Sequence, residues 1–245
     1  MSREKTNIFK GSIIIAAVLM LTVVAAGVAC FLRTQYKINN PRIPKLEVGT
    51  DIYVLEEEVR NILGQECVAI STDRSNGSGI LWSYDGKELM VVTAGHMMTD
   101  FESGELELWS GEKLEFSKED VQVFRENDSA LIHLVLQEPL KQKQGGAGAY
   151  VCESQPQIGD TVWIVGSVYG PASGISRCQV YAVNYYLDDY GVEMLLLSGE
   201  GTAGMSGCAV YDENGRFVAV MSGMSEDGSI LATVSVENLL GNIDL

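Results

Sequence analysis

The amino-acid sequence predicts an all-β domain preceded by one N-terminal transmembrane helix. About a dozen short apolar runs are separated by turn residues such as Asp85-Gly86 and Asn214-Gly215. No long helical stretches alternate with these runs, which argues against a parallel α/β fold. Short strands with regular turn signals are typical of antiparallel barrels and sandwiches. A long uncharged run near the N-terminus accounts for the predicted transmembrane helix.

The composition excludes several classes of function. Of the 245 residues, 33 are acidic and 17 are basic, giving a formal charge of -16. Such a charge repels phosphate backbones, so we expect no nucleic-acid partner. With 46% hydrophobic and 20% charged residues, the chain is not globally disordered. Two histidines and five scattered cysteines, without a Cys-x-x-Cys pair, predict no metal site and no cofactor.

The uncharged N-terminal run extends from Gly11 to Leu32, between Lys10 and Arg33. At about 1.5 Å per residue, a helix of this length reaches roughly 33 Å, enough to cross a bilayer. Cleaved signal peptides usually have a shorter apolar region, of about 7–15 residues. We therefore predict a signal anchor over residues 11–32. Cleavage of this segment, or lipidation at Cys30, stays open as an alternative.

The flanks of this span complete the predicted N-terminal organisation. We assign residues 1–10 to the cytoplasm and residues 33–50, which contain Pro41 and Pro44, to a short tether. Basic residues stand on both sides of the span, so the positive-inside rule does not decide its orientation.

Residues 51–245 are predicted to form the folded domain. Apolar residues on one face predict a helix over 51–63, and a short terminal helix is expected over 236–243. A glycine-containing linker at 137–150 separates a first barrel at about 65–136 from a second at about 151–235. The predicted strands are Cys67–Ser71, Gly79–Tyr84, Leu89–Thr93, Leu106–Trp109, Leu114–Phe116, Val121–Arg125, Ala130–Leu136, Thr161–Val165, Cys178–Asn184, Val192–Ser198, Cys208–Tyr211, Phe217–Ser222 and Ile230–Val234.

Three short motifs next to these strands carry chemically useful side chains. His96 follows the strand that ends at Thr93, where the sheet holds it and a ligand can reach it. Asp128 precedes an apolar strand, where its carboxylate can orient a histidine. Ser206 lies between glycines that allow close backbone approach, and the amides of Gly204 and Ser206 can stabilise an oxyanion. Each motif alone also fits a plain structural role: a hydrogen-bonded histidine, a turn aspartate or a Gly-Ser turn.

The three motifs together are more specific than any one of them. The chain order His96, Asp128, Ser206 distinguishes the chymotrypsin arrangement from the subtilisin and α/β-hydrolase orders. Further runs at 77–81, 159–166 and 210–223 support the same reading. Over about residues 60–240, the chain resembles the trypsin-like serine peptidases of the chymotrypsin fold, and it is most like the bacterial HtrA-like group.

The resemblance implies two antiparallel six-stranded barrels with the active site in the cleft between them. It implies a serine endopeptidase that acts on proteins or peptides through an acyl-enzyme. Ser206 would be the nucleophile, His96 the general base and Asp128 the group that orients it. The amides of Gly204 and Ser206 would form the oxyanion hole.

The resemblance also suggests residues that bind substrate. Glu200 lies near the expected floor of the primary specificity pocket, where a carboxylate favours Lys or Arg before the scissile bond; a solvated loop carboxylate is the alternative. The run Val220, Met221, Ser222 and Gly223 is expected to form the edge strand that pairs with the substrate backbone.

Two positions depart from the family pattern. Met205 replaces the aspartate that pairs with a freed N-terminus in digestive trypsins, so we expect no zymogen switch of that kind. Cys208 stands where the family usually has glycine or serine. These departures leave open an alternative function as a non-catalytic or partner-activated module that binds peptides in the cleft.

The remaining expectations concern location and covalent structure. Membrane-tethered peptidases of this group mostly act outside the cytoplasm, so we expect the domain on the extracytoplasmic side of the cell membrane, or secreted if the signal is cleaved. Because the chain ends at Leu245, we expect no C-terminal peptide-binding domain. Four cysteines allow three disulfide pairings, with free buried thiols as the alternative: Cys67, Cys152, Cys178 and Cys208.

Overall fold

A computed structural model describes residues 42–43, 52–141, 146–152, 154–168 and 170–240. The predicted membrane span at 11–32 and the cytoplasmic segment at 1–10 lie outside these residues. So does the predicted tether, apart from Arg42 and Ile43. Within the described ranges, no helix has the length and apolar character needed to cross a bilayer.

The first half of the domain is a seven-stranded antiparallel sheet, which a short helix precedes in the chain. Helix α1 covers Ile52–Leu63 and continues into a 3-10 turn at Gly64–Glu66. Neighbouring strands lie in the order β5-β4-β1-β2-β3-β7-β6. The strands are β1 (Cys67–Thr72), β2 (Asn76–Tyr84), β3 (Glu88–Ala94), β4 (Ser103–Leu108), β5 (Lys113–Ser117), β6 (Val121–Phe124) and β7 (Ser129–Val135).

The prediction of a six-stranded first barrel is therefore wrong in its strand count and in its closure. Among the described residues, β5 and β6 stand at opposite ends of the sheet order and form no ladder with each other. A 3-10 turn at Lys118–Asp120 joins them. The Asp120 carboxylate accepts bonds from the Ser117 N–H at 2.8 Å and the Ser117 hydroxyl at 2.9 Å. The Ser117 N–H is thereby satisfied within the turn and is not available to a ladder that would close the sheet.

The second half is a closed six-stranded antiparallel barrel, as predicted. Its strands follow the order β10-β13-β12-β11-β8-β9 around the barrel. The short helix α2 (Val236–Leu240) follows the last strand. The strands are β8 (Thr161–Gly166), β9 (Gly174–Leu187), β10 (Val192–Ser198), β11 (Ala209–Asp212), β12 (Phe217–Met224) and β13 (Ile230–Ser235).

A shared apolar core packs the two halves against each other. Successive residues of a strand face opposite sides, so on β2 Ile80 and Trp82 enter this shared core while Leu81 enters the core of the first half. Phe217 of β12 meets Trp82 edge to face, with ring centroids 5.7 Å apart. Such a pair adds about 0.5–1.5 kcal/mol beyond its buried area. The cleft between the halves therefore rests on a continuous apolar floor.

A buried ion pair ties the segment before α1 to the second half. The Arg42 guanidinium binds both carboxylate oxygens of Glu66, at 2.6 and 3.3 Å, and donates to the Gly215 carbonyl at 2.9 Å. The Tyr211 hydroxyl donates to the same carboxylate at 2.9 Å. Glu66 is only 1% exposed, so these partners replace the water that its carboxylate lacks. The adjacent Ile43 is 2% exposed, so the chain is already packed at these two residues.

The cysteines in the described ranges are free thiols. Cys67, Cys152, Cys178 and Cys208 are all buried and unpaired. Burial raises the pKa of the Cys208 thiol to about 12. Free buried thiols, rather than any of the possible disulfide pairings, are thus the state of all four.

Replacing Arg42 by Ala should destabilise the domain, because it leaves the Glu66 carboxylate buried without its cation. We expect a loss of about 3–5 kcal/mol in the free energy of unfolding, measured by urea denaturation. Lys118→Ala is the control, since its ion pair with Glu102 is well exposed, and it should change the stability by less than about 0.5 kcal/mol. Equal losses for the two variants would contradict the account of the buried pair.

Cys208 should resist alkylation in the folded protein. A thiol with a pKa of about 12 is ionised in only about one molecule in ten thousand at pH 8, so iodoacetamide should modify it about a thousandfold more slowly than an ordinary thiol. Peptide-level mass spectrometry after timed labelling measures this rate, and the same chain in denaturant gives the reference. Equal alkylation rates in the folded and denatured chains would show that the Cys208 thiol is not buried and that its pKa is not raised.

Candidate active site

His96 is held at the end of β3, next to the start of β7. The register pairs Ala94 with Ser129, so the turn that carries His96 lies beside Asp128. Gly95 makes this approach possible, because a Cβ there would lie 2.9 Å from the Ser129 main chain. The Gly95 N–H donates to the Asp128 carbonyl at 2.9 Å. The sheet thus fixes the histidine and the aspartate relative to each other.

The Asp128 carboxylate accepts hydrogen bonds from three donors. Its Oδ1 accepts the His96 main-chain N–H at 2.7 Å, and its Oδ2 accepts the ring Nδ1–H at 2.8 Å. The Ser222 hydroxyl also donates to Oδ2, from β12 of the second half. Asp128 has a φ of 49°, in the left-handed region that aspartate tolerates better than most residues.

The hydrogen bonds define the tautomer of His96. An ionised carboxylate only accepts, so Nδ1 of the neutral ring carries the proton and Nε2 presents its lone pair. Nε2 lies 2.9 Å from Ser206 Oγ, whose hydroxyl then donates to it. The structure therefore brings together the three side chains that the sequence singled out, in one chain of hydrogen bonds from Ser206 to Asp128.

Ser206 lies on a turn shaped by two glycines. Gly204 and Gly207 have φ values of 91° and 81°, in the left-handed region that favours glycine. A Cβ on Gly207 would lie 1.9 Å from the Ser78 carbonyl oxygen, so only glycine fits there. Met205 points inward and is 4% exposed, while Ser206 is partly exposed.

Two amides beside Ser206 remain available for a ligand. Among the described residues, the N–H groups of Gly204 and Ser206 have no hydrogen-bond acceptor, whereas the Met205 N–H between them donates to the Thr202 carbonyl. The Gly207 N–H donates to the Met221 carbonyl. Two free amides on either side of a committed one are suited to bind a developing negative charge.

The predicted substrate-binding residues of β12 have different surroundings. The side chains of Val220 and Met221 are buried in the core, at 1% and 2% exposure. Their main chain is bonded within the closed barrel, on the sides of both β11 and β13, so these two residues do not form the edge that the sequence predicts. The Ser222 side chain is committed to Asp128. Gly223 lies beyond a bulge in the pairing with β13 and is partly exposed.

Glu200 is associated with a cavity that those four residues do not line. It is exposed and borders a cavity of about 330 Å³ together with residues of β8 and β9 and the β8–β9 loop. Met205 and Cys208 form part of the same wall. The structure therefore brings Glu200 and the turn that carries Ser206 to the same cavity.

Tyr190 is a residue of the site that the sequence did not indicate. It lies in the turn between β9 and β10, and a Cβ on Gly223 would lie 2.0 Å from its hydroxyl oxygen. Burial raises the pKa of Tyr190, and the negative charge of Asp128 adds to this shift. Tyr190 therefore fills the space above Gly223. No local pattern predicts this contact, because the turn and β12 are distant in sequence.

The described residues contain no group of three or more His, Cys, Asp or Glu side chains placed to hold a metal ion. His133, the second histidine, contacts Glu88 Oε2 through Nε2 at 3.2 Å, on the paired strands β7 and β3.

Comparison with solved structures identifies the fold. A serine-to-alanine mutant of Rv3671c from M. tuberculosis H37Rv, in an inactive form, is 16% identical with a TM-score of 0.59, over 81% of this chain and 94% of that one. The HtrA-type protease AlgW, with a tripeptide, is 16% identical with a TM-score of 0.60, over 76% of this chain and 61% of AlgW. A serine endoprotease from Yersinia pestis is 17% identical with a TM-score of 0.60, over 80% and 66%.

Comparison of sequences identifies the family. No curated protein matches the chain. The family model of the trypsin-like peptidase domain matches residues 77–220, which is more than half of the chain. The fold likeness to HtrA-type proteases agrees with the resemblance seen in the sequence. The chain thus belongs to the trypsin-like peptidase family, and it is a serine endopeptidase of that family.

Proposed function

We propose that this chain hydrolyses peptide bonds through Ser206, His96 and Asp128, with an acyl-enzyme intermediate. The observation that carries the proposal is the unbroken chain of hydrogen bonds from Ser206 Oγ through the His96 ring to the Asp128 carboxylate. A module that only binds peptides has no need to hold a serine hydroxyl 2.9 Å from a histidine Nε2. The geometry therefore favours catalysis over the alternative of a non-catalytic module.

The proposed acylation step begins with the Ser206 hydroxyl. Its oxygen attacks the substrate carbonyl carbon while its proton passes to His96 Nε2, and Asp128 stabilises the cation that forms on the ring. The carbonyl oxygen becomes an oxyanion and binds the amides of Gly204 and Ser206. His96 then gives its proton to the leaving amine, and the C–N bond breaks.

Deacylation repeats these steps with water as the nucleophile. His96 takes a proton from the water, the hydroxide attacks the acyl carbon, and the proton returns to Ser206 Oγ as the ester bond breaks. Acylation and deacylation, as proposed here, use only Ser206, His96, Asp128 and the two amides.

Substrate recognition in this proposal depends on the edge of β12. Residues Ser222 to Met224 present main-chain groups to an extended peptide. The Tyr190 side chain lies against Gly223 and borders this binding edge. In this proposal, the substrate side chain before the scissile bond enters the cavity that Glu200 borders. The Glu200 carboxylate would then favour Lys or Arg at that substrate position.

The proposal includes a membrane anchor. The uncharged run at 11–32 is long enough to span a bilayer and would tether the peptidase domain to the extracytoplasmic face of the cell membrane.

Alanine at Ser206 or His96 should remove nearly all hydrolysis of a protein substrate such as casein. The first change deletes the nucleophile and the second deletes the base, so kcat should fall by about 10⁴-fold or more. Asp128→Asn should cost a comparable factor, because its amide stabilises the wrong tautomer of His96. Thermal unfolding of each variant shows whether the fold is kept.

His133→Ala is the matched control, because His133 is the other histidine and its ring pairs with Glu88 rather than with Ser206 or Asp128. This variant should keep kcat within about twofold. Hydrolysis by Ser206→Ala at the rate of the parent would contradict the proposed mechanism.

Gly223→Ala should impair cleavage of peptide substrates, because the added Cβ would collide with the Tyr190 hydroxyl. Combining it with Tyr190→Ala or with Tyr190→Phe should restore most of the lost kcat/KM, because both substitutions remove the hydroxyl that the added Cβ would meet. A full kinetic double-mutant cycle measures the coupling. Additive effects of the two substitutions would show that Tyr190 does not border the edge of β12.

A further inference from the structure

We propose that Ser78, on β2 of the first half, is a positioning residue that aligns the two oxyanion-hole amides with His96. The inference rests on the proposed function and concerns the turn Gly204 to Gly207, called here the nucleophile turn. Ser78 touches neither substrate nor the reacting atoms in this account. It acts by holding the main chain of the nucleophile turn.

One residue holds the carbonyls of both residues that supply the amides. The Ser78 N–H donates to the Ser206 carbonyl at 2.8 Å, and the Ser78 hydroxyl donates to the Gly204 carbonyl at 3.3 Å. Each peptide unit is planar, so these bonds fix the units that end in the Met205 N–H and the Gly207 N–H. The unit that carries the Ser206 amide lies between these two, and the unit that carries the Gly204 amide directly precedes the first. The chain segments on both sides of Met205 are therefore anchored to the same strand.

The hydroxyl of Ser78 has its hydrogen-bonding capacity fully used. A serine hydroxyl donates one hydrogen bond and accepts two. Its two acceptor positions are filled by the Ser167 N–H at 2.8 Å and the Cys208 thiol at 3.3 Å. The single hydroxyl proton is thus directed to the Gly204 carbonyl. Ser78 is fully buried, so no water competes for this bond.

The neighbours of Ser78 keep it in place and close to the turn. The Thr93 hydroxyl donates to the Ser78 carbonyl at 2.6 Å, which ties β2 to the strand that leads to His96. Gly77 allows the close approach, because a Cβ there would lie 2.9 Å from the Ser206 carbonyl oxygen. The positions of His96 and of the nucleophile turn are therefore both set by the paired strands β2 and β3.

Gly204 is the point where this restraint matters most. A glycine at a φ of 91° has few steric limits of its own, so its conformation depends on the bonds made to it. Without the Ser78 hydroxyl, the Gly204 carbonyl loses its partner and the adjacent peptide units are free to rotate. The amides would then point away from the position of the oxyanion in part of the population.

A misaligned oxyanion hole has a specific kinetic signature. The amides bind the tetrahedral oxyanion more strongly than the planar carbonyl, so their loss lowers kcat and leaves KM nearly unchanged. A peptide aldehyde forms a tetrahedral adduct with the nucleophile and should lose affinity by the same factor as kcat. A general loosening of the fold would produce neither this match nor an unchanged KM.

The test compares Ser78→Ala with Ser167→Ala in the full-length protein. Ser167 is a buried serine beside Ser78, and its hydroxyl bonds to the Cys67 thiol rather than to the nucleophile turn. The measurements are kcat and KM on a peptide that the parent cleaves, the inhibition constant of the aldehyde of the same sequence, and the unfolding temperature. For Ser78→Ala we expect kcat to fall about 10- to 100-fold and the inhibition constant to rise by the same factor, with KM within twofold.

Ser167→Ala should change kcat and the inhibition constant by less than about threefold, even if its unfolding temperature falls as much. A Ser78→Ala variant with the kcat of the parent overturns the proposal, and so do equal kinetic losses in the two variants. If Ser78→Ala does not fold, Ser78→Cys decides. It keeps a side chain of similar size with only a weak donor, and it should lower kcat and aldehyde affinity together by about tenfold. Parent values for both quantities in that variant also overturn the proposal.

Ser206→Ala separates this inference from the proposed function. If Ser206→Ala still cleaves the peptide, the proposed mechanism fails and this inference fails with it. If Ser206→Ala is inactive while Ser78→Ala has normal kcat and aldehyde affinity, only the role of Ser78 is refuted.

Discussion

The site depends first on the hydrogen bonds that converge on the Asp128 carboxylate. Two donors come from His96, through its main chain and its ring, and the third comes from Ser222 on β12 of the closed barrel. This carboxylate therefore orients the imidazole and also joins the two halves of the domain. A carboxylate that accepts several bonds is held in one orientation, which is what a base with a single useful tautomer requires.

The second constraint is the apolar core that the halves share. His96 and Ser206 are 110 positions apart in the chain, yet their side chains lie 2.9 Å apart. Catalytic side chains must be held within roughly 0.5 Å of their working positions, which requires a rigid backbone beneath them. Paired strands that pack on a common core provide this rigidity. The Trp82–Phe217 contact is one element of this support, and the buried Arg42–Glu66 pair is another. The polar site lies above a floor that neither half could bury alone.

Much of this could be predicted from the sequence, because the signals are local. Strands show as short apolar runs and hairpins show turn residues, so each of the predicted strands has a counterpart in the structure. His96, Asp128 and Ser206 stood out because each lies beside a strand next to a small or turn residue. The order of the three then pointed to the peptidase family, which the family model confirms.

The features that escaped prediction depend on contacts between distant segments. The bond from Ser78 to Gly204 spans 126 positions, and the one from Tyr211 to Glu66 spans 145. Tyr190 meets Gly223 only because a turn of one hairpin folds over another strand. The open first sheet escaped for a related reason. The sequence shows where strands run, but it does not show whether the two outermost strands, β5 and β6, pair with each other.

Labelling with a fluorophosphonate tests the central claim most directly, because this reagent modifies a serine only when a neighbouring base activates it. The full-length protein, solubilised in detergent, would be treated beside Ser206→Ala, and mass spectrometry would locate the adduct. The account predicts one adduct, on Ser206, in the parent and none in the variant. A folded parent that takes up no label, or takes it up at another serine, would contradict the claim that His96 and Asp128 activate Ser206.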